Sequence, residues 1–451
     1  MAAEQFTKWS LLKMLHHSYK LHYSSIASKL SQYQSEMGSA GSKRRAERDE
    51  HGLIQTLDDH ESGINCMALS SDSTVLATGS DDHSIRLWST KATPIECLSV
   101  LSGHTDYITY IVMHKNYLIS ASADQTMRKW DMTTGQCIFV CTGHTSLVYR
   151  IVCIGDFLLS TSYDRTARCW DFYTGDCIRV FVGHSHGILP ILFISSNQDT
   201  TENDFENEMD IYTKDILITG SQDTTAKTWS FETGECLKTF EGHIGAILCL
   251  ATDPSGKILF TGSGDGTIRV WSIHRGTELR IYDQHQAAII DILVTNKLLY
   301  SISADHTARC WVIDVGDCTR IYKGHHHSVS CILVEHGLVF TGCGDAIVRC
   351  FEARSGVIKR SFKSHALAIN CIQIVDNRLF SGSVDGSLKV WDISDLKGET
   401  SQNLKPIVKS KIATTTTTTT ATIRANKDNR SDIQSRIDDR EYRERRALDM
   451  V

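Results

Sequence analysis

The sequence predicts an all-β protein, an eight-bladed β-propeller with flexible extensions at both ends. Three observations carry that prediction. A fourteen-residue stretch, Leu158 to Asp171, recurs with drift seven more times, its copies closing at Trp88, Trp130, Trp229, Trp271, Trp311, Phe351 and Trp391. An Asp stands six residues before each closing aromatic: Asp82, Asp124, Asp164, Asp223, Asp265, Asp305, Asp345 and Asp385. Successive aromatics lie 42, 40, 59, 42, 40, 40 and 40 residues apart. A period near forty, with Gly-His early and Trp-Asp late, is that of a four-stranded propeller blade.

Residues 1–50 form an N-terminal extension. Phe6, Trp9, Leu12, Leu15 and Tyr19 recur at three- and four-residue intervals, which predicts an amphipathic helix over 5–22. The segment lacks the unbroken apolar core of a secretory signal and has no arginine before Arg44, unlike a mitochondrial leader. Lys43-Arg44-Arg45 reads as a solvated cluster rather than a nuclear signal.

Residues 51–394 hold the repeats. Each opens on a His, after Gly at His104, His144, His184, His243 and His325, and without it at His60, His285 and His365. Between His and aromatic lie two short apolar strands, a tight turn at the Asp and a third strand; a fourth, such as Cys137 to Val140, leads to the next opening. Leu53 to Leu57 has the character of a fourth strand without a blade, and the last repeat lacks its own, so pairing the two closes the ring. The fourth repeat is nineteen residues longer. Its insertion, 197–215, carries seven acids against one lysine and lacks calcium-loop spacing, so it reads as an acidic loop between the first two strands of its blade.

Residues 395–451 form a low-complexity and charged tail, with a threonine run at 414–420. The closing Asp449-Met450-Val451 offers a weak cue for a groove that takes a chain terminus.

Composition narrows the function. No apolar run is long enough to span a membrane. Residues 51–400 carry 28 Lys and Arg against 41 Asp and Glu, a net of −13, which disfavours phosphate backbones as partners. The cysteines fall into repeat-equivalent sets, Cys137, Cys177, Cys236 and Cys318 in one and Cys66, Cys249, Cys331 and Cys371 in another. Blade spacing sets equivalent positions apart, so they read as small buried hydrophobes of an intracellular protein rather than disulfides or zinc ligands. His325-His326-His327 has no acid or Cys companion at ligand spacing, so no metal is expected there.

The Gly-His opening, the Ser-x-Asp turn and the closing Trp-Asp resemble the WD-repeat family. The resemblance implies a hydrogen-bonded tetrad in each blade: His104, Ser120, Asp124 and Trp130; His144, Ser160, Asp164 and Trp170; His184, Thr219, Asp223 and Trp229; His243, Thr261, Asp265 and Trp271; His285, Ser301, Asp305 and Trp311. The seventh repeat supplies His325, Thr341 and Asp345 but puts Phe351 where the indole belongs, so its tetrad is incomplete and its blade looser. His, Asp and Ser together mimic a hydrolase triad, but a catalytic set occurs once and this one eight times. No unique nucleophile, cofactor loop or metal set stands out, so the expectation is a non-enzymatic protein with no cofactor.

The resemblance further implies a platform that binds proteins or peptides on the rim carrying the Gly-His and Asp turns. Residues just before each Asp and just after each His should point there: Asp81, Tyr163 and Gln222, and Tyr107, Leu147, Tyr149, Leu189, Leu248 and Ile290. Aromatics cluster on blades two to four, as at an interface hot spot. The alternative is a substrate-recognition subunit of a ubiquitin ligase, since Thr233-Gly234-Glu235-Cys236-Leu237 resembles the propellers of F-box proteins. No F-box-like segment precedes the repeats, and no Trp-Asp-x-Arg follows a closing Trp. The expected setting is a monomeric propeller inside a larger complex, in the cytoplasm or, alternatively, the nucleus, binding neither membrane nor nucleic acid.

Overall fold

A computed structural model of the chain describes residues 52–195 and 215–397. The expected N-terminal helix, nearly all of the acidic insertion and the charged tail lie outside the described residues. The described residues form eight four-stranded antiparallel sheets and one short 3-10 turn, Ser394–Lys397. None of their helices is long and apolar enough to cross a membrane.

Seven blades are built from four consecutive strands, as in blade 3 with Val148–Ile154, Phe157–Ser162, Thr166–Asp171 and Cys177–Val182. The eighth closes the ring. Its strands Ile369–Val375, Arg378–Ser383 and Leu388–Asp392 take Leu53–Leu57 as their outermost member, with Leu57 opposite Leu388 and Leu53 opposite Trp391. The expected closure is therefore how the first and last strands of the ring meet.

First strands of neighbouring blades pack on one another and line the axis. Each carries a one-residue bulge, so that Val148 faces Ser162 but Arg150 faces Thr161, leaving Tyr149 as the extra residue. The same slip follows Ile64, Ile108, Ile188, Ile247, Ile289, Val329 and Ile369.

The core lies between blades rather than within one. Trp229 of blade 4 shares a buried cluster with Leu159, Ala167 and Phe181 of blade 3. Close approach is helped by small residues on the second strands. A Cβ on Gly79 would stand 2.6 Å from Ile108 Cγ2 of the next blade and 2.8 Å from Cys66 Sγ.

One reading of the cysteines is corrected. Cys137, Cys177 and Cys236 are exposed and Cys318 is partly so, because they begin outermost strands whose outer side meets solvent. Cys66 and Cys249 are buried at the axis, while Cys331 and Cys371 are partly buried there. Burial pushes the Cys66 and Cys331 thiols up to about 12, so they stay protonated and inert.

Candidate functional site

The frame of the site is set by the tetrads. In blade 3 the Trp170 indole N–H donates to Ser160 Oγ at 2.9 Å, and that hydroxyl lies 2.8 Å from His144 Nε2. His144 Nδ1 lies 2.6 Å from Asp164. Since the hydroxyl accepts from the indole, it donates to Nε2, and the ring proton sits on Nδ1, facing the carboxylate. Blades 1, 2, 4, 5 and 6 repeat this with His–Asp distances of 2.6 to 2.8 Å. Blade 8 does so at 3.1 Å. His60, Thr78, Asp82 and Trp88 in blade 1, and His365, Ser381, Asp385 and Trp391 in blade 8, are complete tetrads that the sequence reading did not assemble.

Each Asp also pins the turn. Asp164 accepts the Thr145 N–H at 3.1 Å, the Thr166 N–H at 2.9 Å and the Thr166 hydroxyl at 2.7 Å. Burial alone would raise its carboxyl, but these bonds and His144 outweigh it and hold the group well below the usual carboxylate range. Burial in turn lowers His144, against the pull of Asp164, so the imidazole is held neutral. Acid, base and hydroxyl are thus spent on one another.

Blade 7 is rebuilt. Phe351 replaces the indole, Ile347 replaces the turn hydroxyl, and Arg349 turns inward, only 4% exposed. Its Nη1 donates to His325 Nδ1 at 2.8 Å and to the two Asp345 oxygens at 3.0 and 2.8 Å. His325 Nδ1 is therefore an acceptor, and its proton sits on Nε2, donating to Thr341 Oγ1 at 2.7 Å. The tautomer is the reverse of that in the other blades. Without an indole donor the hydroxyl is free to accept from the imidazole, and Arg349 supplies the donor that Nδ1 then needs. Burial first, then Arg349, lowers His325 to about 3.

His325, Cys343 and Asp345 also form a compact set of potential metal donors, with ligand atoms within 4.8 Å of one another. The acid and Cys companions absent near the His run in sequence thus come from the turn of the same blade. The donors do not suit a cation. Arg349 already stands between His325 and Asp345, and burial pushes the Cys343 thiol up to about 12.

On the rim, the two sets of expected contact residues are tied together. Tyr163 N–H donates to the Leu147 carbonyl at 3.1 Å, Gln222 N–H to the Gly187 carbonyl at 2.9 Å, and Asp81 N–H to the Gly63 carbonyl at 2.8 Å. Asp turn and post-His segment therefore share one face. Tyr163 is 36% exposed, and its ring centroid stands 6.1 Å from that of Tyr149 at 57° between planes. Tyr107, Leu147, Tyr149, Gln222, Leu248, Ile290 and Asp81 are partly exposed. Leu189 departs from expectation: it is 2% exposed, and its carbonyl accepts the Thr161 hydroxyl at 2.8 Å. It packs the joint between blades 3 and 4 and offers nothing to a partner.

Sequence reasoning missed the residues just inside the mouth. The residue after each bulge is Cys66, Tyr110, Arg150, Pro190, Cys249, Asp291, Cys331 or Cys371. Two of the eight are charged, Arg150 and Asp291, and they line one cavity with Tyr110, Pro190, Leu248 and Leu250. The Arg150 guanidinium lies 4.5 Å from the Tyr110 ring centroid and 5.8 Å from that of Tyr149. Burial raises the Asp291 carboxyl to about 6 although Arg150 opposes it. Lining up the repeats at this position would have found the pair.

A ring of eight four-stranded blades, seven of them locked by an indole–hydroxyl–imidazole–carboxylate chain, defines a propeller of the repeat type whose blades close on Trp-Asp. The family model described as WD domain, G-beta repeat matches residues 52–89, 95–131, 135–171, 234–272, 316–352 and 356–392. The chain belongs to the WD-repeat family. WD repeat-containing protein 86 of Homo sapiens is 49% identical over 198 residues, 44% of this chain and 51% of that protein. Mitochondrial division protein 1 of Candida glabrata is 30% identical over 213 residues, 44% of this chain and 24% of that one. The match thus spans about half the length of the human relative and a quarter of the yeast one. Among solved structures, the computationally designed protein Ika8 superposes with a TM-score of 0.66 at 27% identity, over 76% of this chain and all of that one. Sqt1 of Saccharomyces cerevisiae does so with a TM-score of 0.67 at 16% identity, over 76% of this chain and 99% of that one, a likeness of fold alone.

Proposed function

We propose that this chain is a non-enzymatic scaffold that binds partner proteins or peptides at the channel mouth of blades 2 and 3, with the cytoplasm as its setting. WD-repeat propellers generally mediate protein interactions and scaffolding. The observation that carries the choice of face is the tyrosine pair, Tyr149 and Tyr163, held at 6.1 Å on a rim where Tyr163 remains 36% exposed. Rigid aromatics at a partly exposed mouth are the usual anchors of a binding hot spot. The tetrads do not argue for chemistry, because each spends its acid, base and hydroxyl internally.

Affinity purification with mass spectrometry from native cells tests this. Wild type would be compared with the double variant Tyr149→Glu and Tyr163→Glu. Partners recovered with wild type and lost with the variant mark this rim as the binding face. The same partners with both would move the working surface elsewhere. Ligase components among rim-dependent partners would favour the substrate-recognition alternative.

A further inference from the structure

We propose that the tyrosine cluster at the mouth of blades 2 and 3 receives a cationic side chain, lysine or arginine, from a basic segment of the partner. The inference rests on the reading that this face binds partners, and it names the charge of what binds.

Four observations converge on a cation. Tyr149 and Tyr163 stand at 6.1 Å and 57°, a tilted pair, and Tyr163 remains 36% exposed, so part of the pair is open to solvent. Tyr107, from blade 2, lies near enough to Tyr163 to influence its ionisation, which brings a third phenol to the cluster. Asp106 and Asp81 flank Tyr107, and after burial they are the groups that push its phenol up to about 12. Finally, residues 51–400 carry a net charge of −13.

The faces of aromatic rings carry negative potential, and a cation within about 6 Å of a ring centroid is attracted to it, more strongly where water is partly excluded. Neighbouring carboxylates add to that attraction, and an acidic body steers a basic partner inward. Burial pushes the Tyr107 and Tyr163 phenols up, so both contribute ring surface and hydroxyls rather than charge.

Arg150 sets how deep the cation can go. Its guanidinium already stands 4.5 Å from the Tyr110 ring and 5.8 Å from the Tyr149 ring, on the channel side. A second cation entering the channel would meet like charge, so the partner side chain seats at the outer mouth, against Tyr163 and Tyr107. An acidic side chain has the opposite problem. It would meet Asp106 and Asp81 beside Tyr107, and Asp291 lines the same inner cavity as Arg150.

The test uses the full chain and two labelled probes, a lysine-rich peptide and its glutamate counterpart of equal length, read by fluorescence anisotropy at about 0.15 M salt. Wild type should bind the lysine peptide saturably and the glutamate peptide far more weakly. Tyr163→Ala should weaken lysine-peptide binding about fivefold to tenfold. Tyr163→Phe keeps the ring and should leave it near wild type. Asp106→Asn should weaken it less and flatten its dependence on salt.

Lysine-peptide binding that is equal in wild type and Tyr163→Ala overturns the proposal, as does no saturable binding at millimolar peptide. If the glutamate peptide binds instead, and Tyr163→Ala abolishes that, the charge assignment falls while the face survives. If neither peptide binding nor recovery of native partners responds to Tyr149 and Tyr163, the face itself is wrong. The Phe and Asn variants guard against a folding artefact, since neither removes buried apolar volume.

Discussion

Replacing Arg349 by leucine should open blade 7, whereas the same change at Arg309 in blade 6 should do little. Both arginines stand two residues before the closing aromatic. Arg309 is half-buried and donates to Gln284 Oε1 at 3.1 Å near the surface. Arg349 is buried, with side-chain exposures of 5% for itself and 10% for Asp345, and it holds both carboxylate oxygens and His325 Nδ1. Its loss leaves Asp345 with the His326 N–H at 3.0 Å and the Ile347 N–H at 3.2 Å. Removing one partner of a buried pair costs about 3–5 kcal/mol. The imidazole can recover part of that by moving its proton to Nδ1 and donating to Asp345, as in the other blades, worth about 1–2 kcal/mol. A net cost of about 2–3 kcal/mol corresponds to local opening that is roughly thirty to a hundred and fifty times more frequent. Amide hydrogen exchange in strands Leu338–Cys343 and Ile347–Glu352 reads this directly, where whole-chain denaturation of a repeat ring would not be two-state. Nitrogen NMR of the histidine side chains adds a second readout: His325 should carry its proton on Nε2 in wild type and on Nδ1 in Arg349→Leu. Equal exchange in the two variants, or an Nδ1 proton on wild-type His325, would refute the reversed tetrad.

Two further outcomes depend on pH. The tetrad carboxyls, Asp164 and Asp385 among them, are depressed in the fold, so their stabilisation is complete above about pH 4, where unfolded carboxylates ionise, and is lost as pH falls below that. His144, His285 and His325 are lowered in the fold, so loss begins near pH 6.5 as the unfolded chain takes up protons, and thermal melts from pH 8 to pH 3 should show a shallow decline that steepens below about pH 4. Asp291 has the opposite sign: its folded value of about 6 lies above the unfolded one, so Asp291→Asn should raise the melting temperature at pH 8 and not at pH 4.

The sequence made the architecture legible because an Asp stands six residues before every closing aromatic and a His opens every repeat, even where the fourth repeat's insertion lengthens the gap between them. His60 and His365, whose openings lack glycine, were not assembled into tetrads, although His285, which lacks it too, was. Gly143 and Gly183 take φ of +150° and +156° before their histidines, but the bond network needs only the imidazole, and Asp59 and Ser364 bring the chain to the same place. The inward turn of Arg349 was not legible. Arg86, Arg128, Arg168, Arg269 and Arg309 occupy the same register, and only the joint loss of the indole and the turn hydroxyl makes room for a guanidinium. Arg150 and Asp291 were hidden by the bulge. Strict alternation sends successive side chains to opposite faces of a strand, and the extra residue at Tyr149 breaks that rule where the channel begins. Cys137, Cys177 and Cys236 were misplaced for a simpler reason: equivalence among repeats says that positions are alike, and says nothing of which side of the outermost strand they take.

The bulge position also separates holding the ring together from leaving a mouth open. Asn65 donates to the Ile108 carbonyl at 2.9 Å, Thr109 to the Val148 carbonyl at 2.6 Å and Asn370 to the Ile64 carbonyl at 2.9 Å, while Ser330 reaches the Ile369 carbonyl. Blades 7, 8, 1 and 2 are thus each tied at the axis to the blade that follows, at about 1 kcal/mol per bond. That arc contains the seam where Leu53–Leu57 completes blade 8, and it gains the Lys91–Asp376 ion pair at 2.9 Å and the Arg378 bonds to the Thr90 and Ala92 carbonyls. In blades 3 to 6 the bulge residues are Tyr149, Leu189, Leu248 and Ile290, which do not make this tie; Thr161 makes it for blade 3 from the neighbouring strand. A ring closed by a single borrowed strand gains most from ties near its seam, because an opening there has no covalent link to limit it. Away from the seam the chain itself joins the blades, so side chains at the bulge can be apolar or aromatic without the ring depending on them. The proposed binding mouth of blades 2 and 3 lies where the tied arc gives way to that second arc, and there Tyr149 takes the place that an amide or hydroxyl fills nearer the seam.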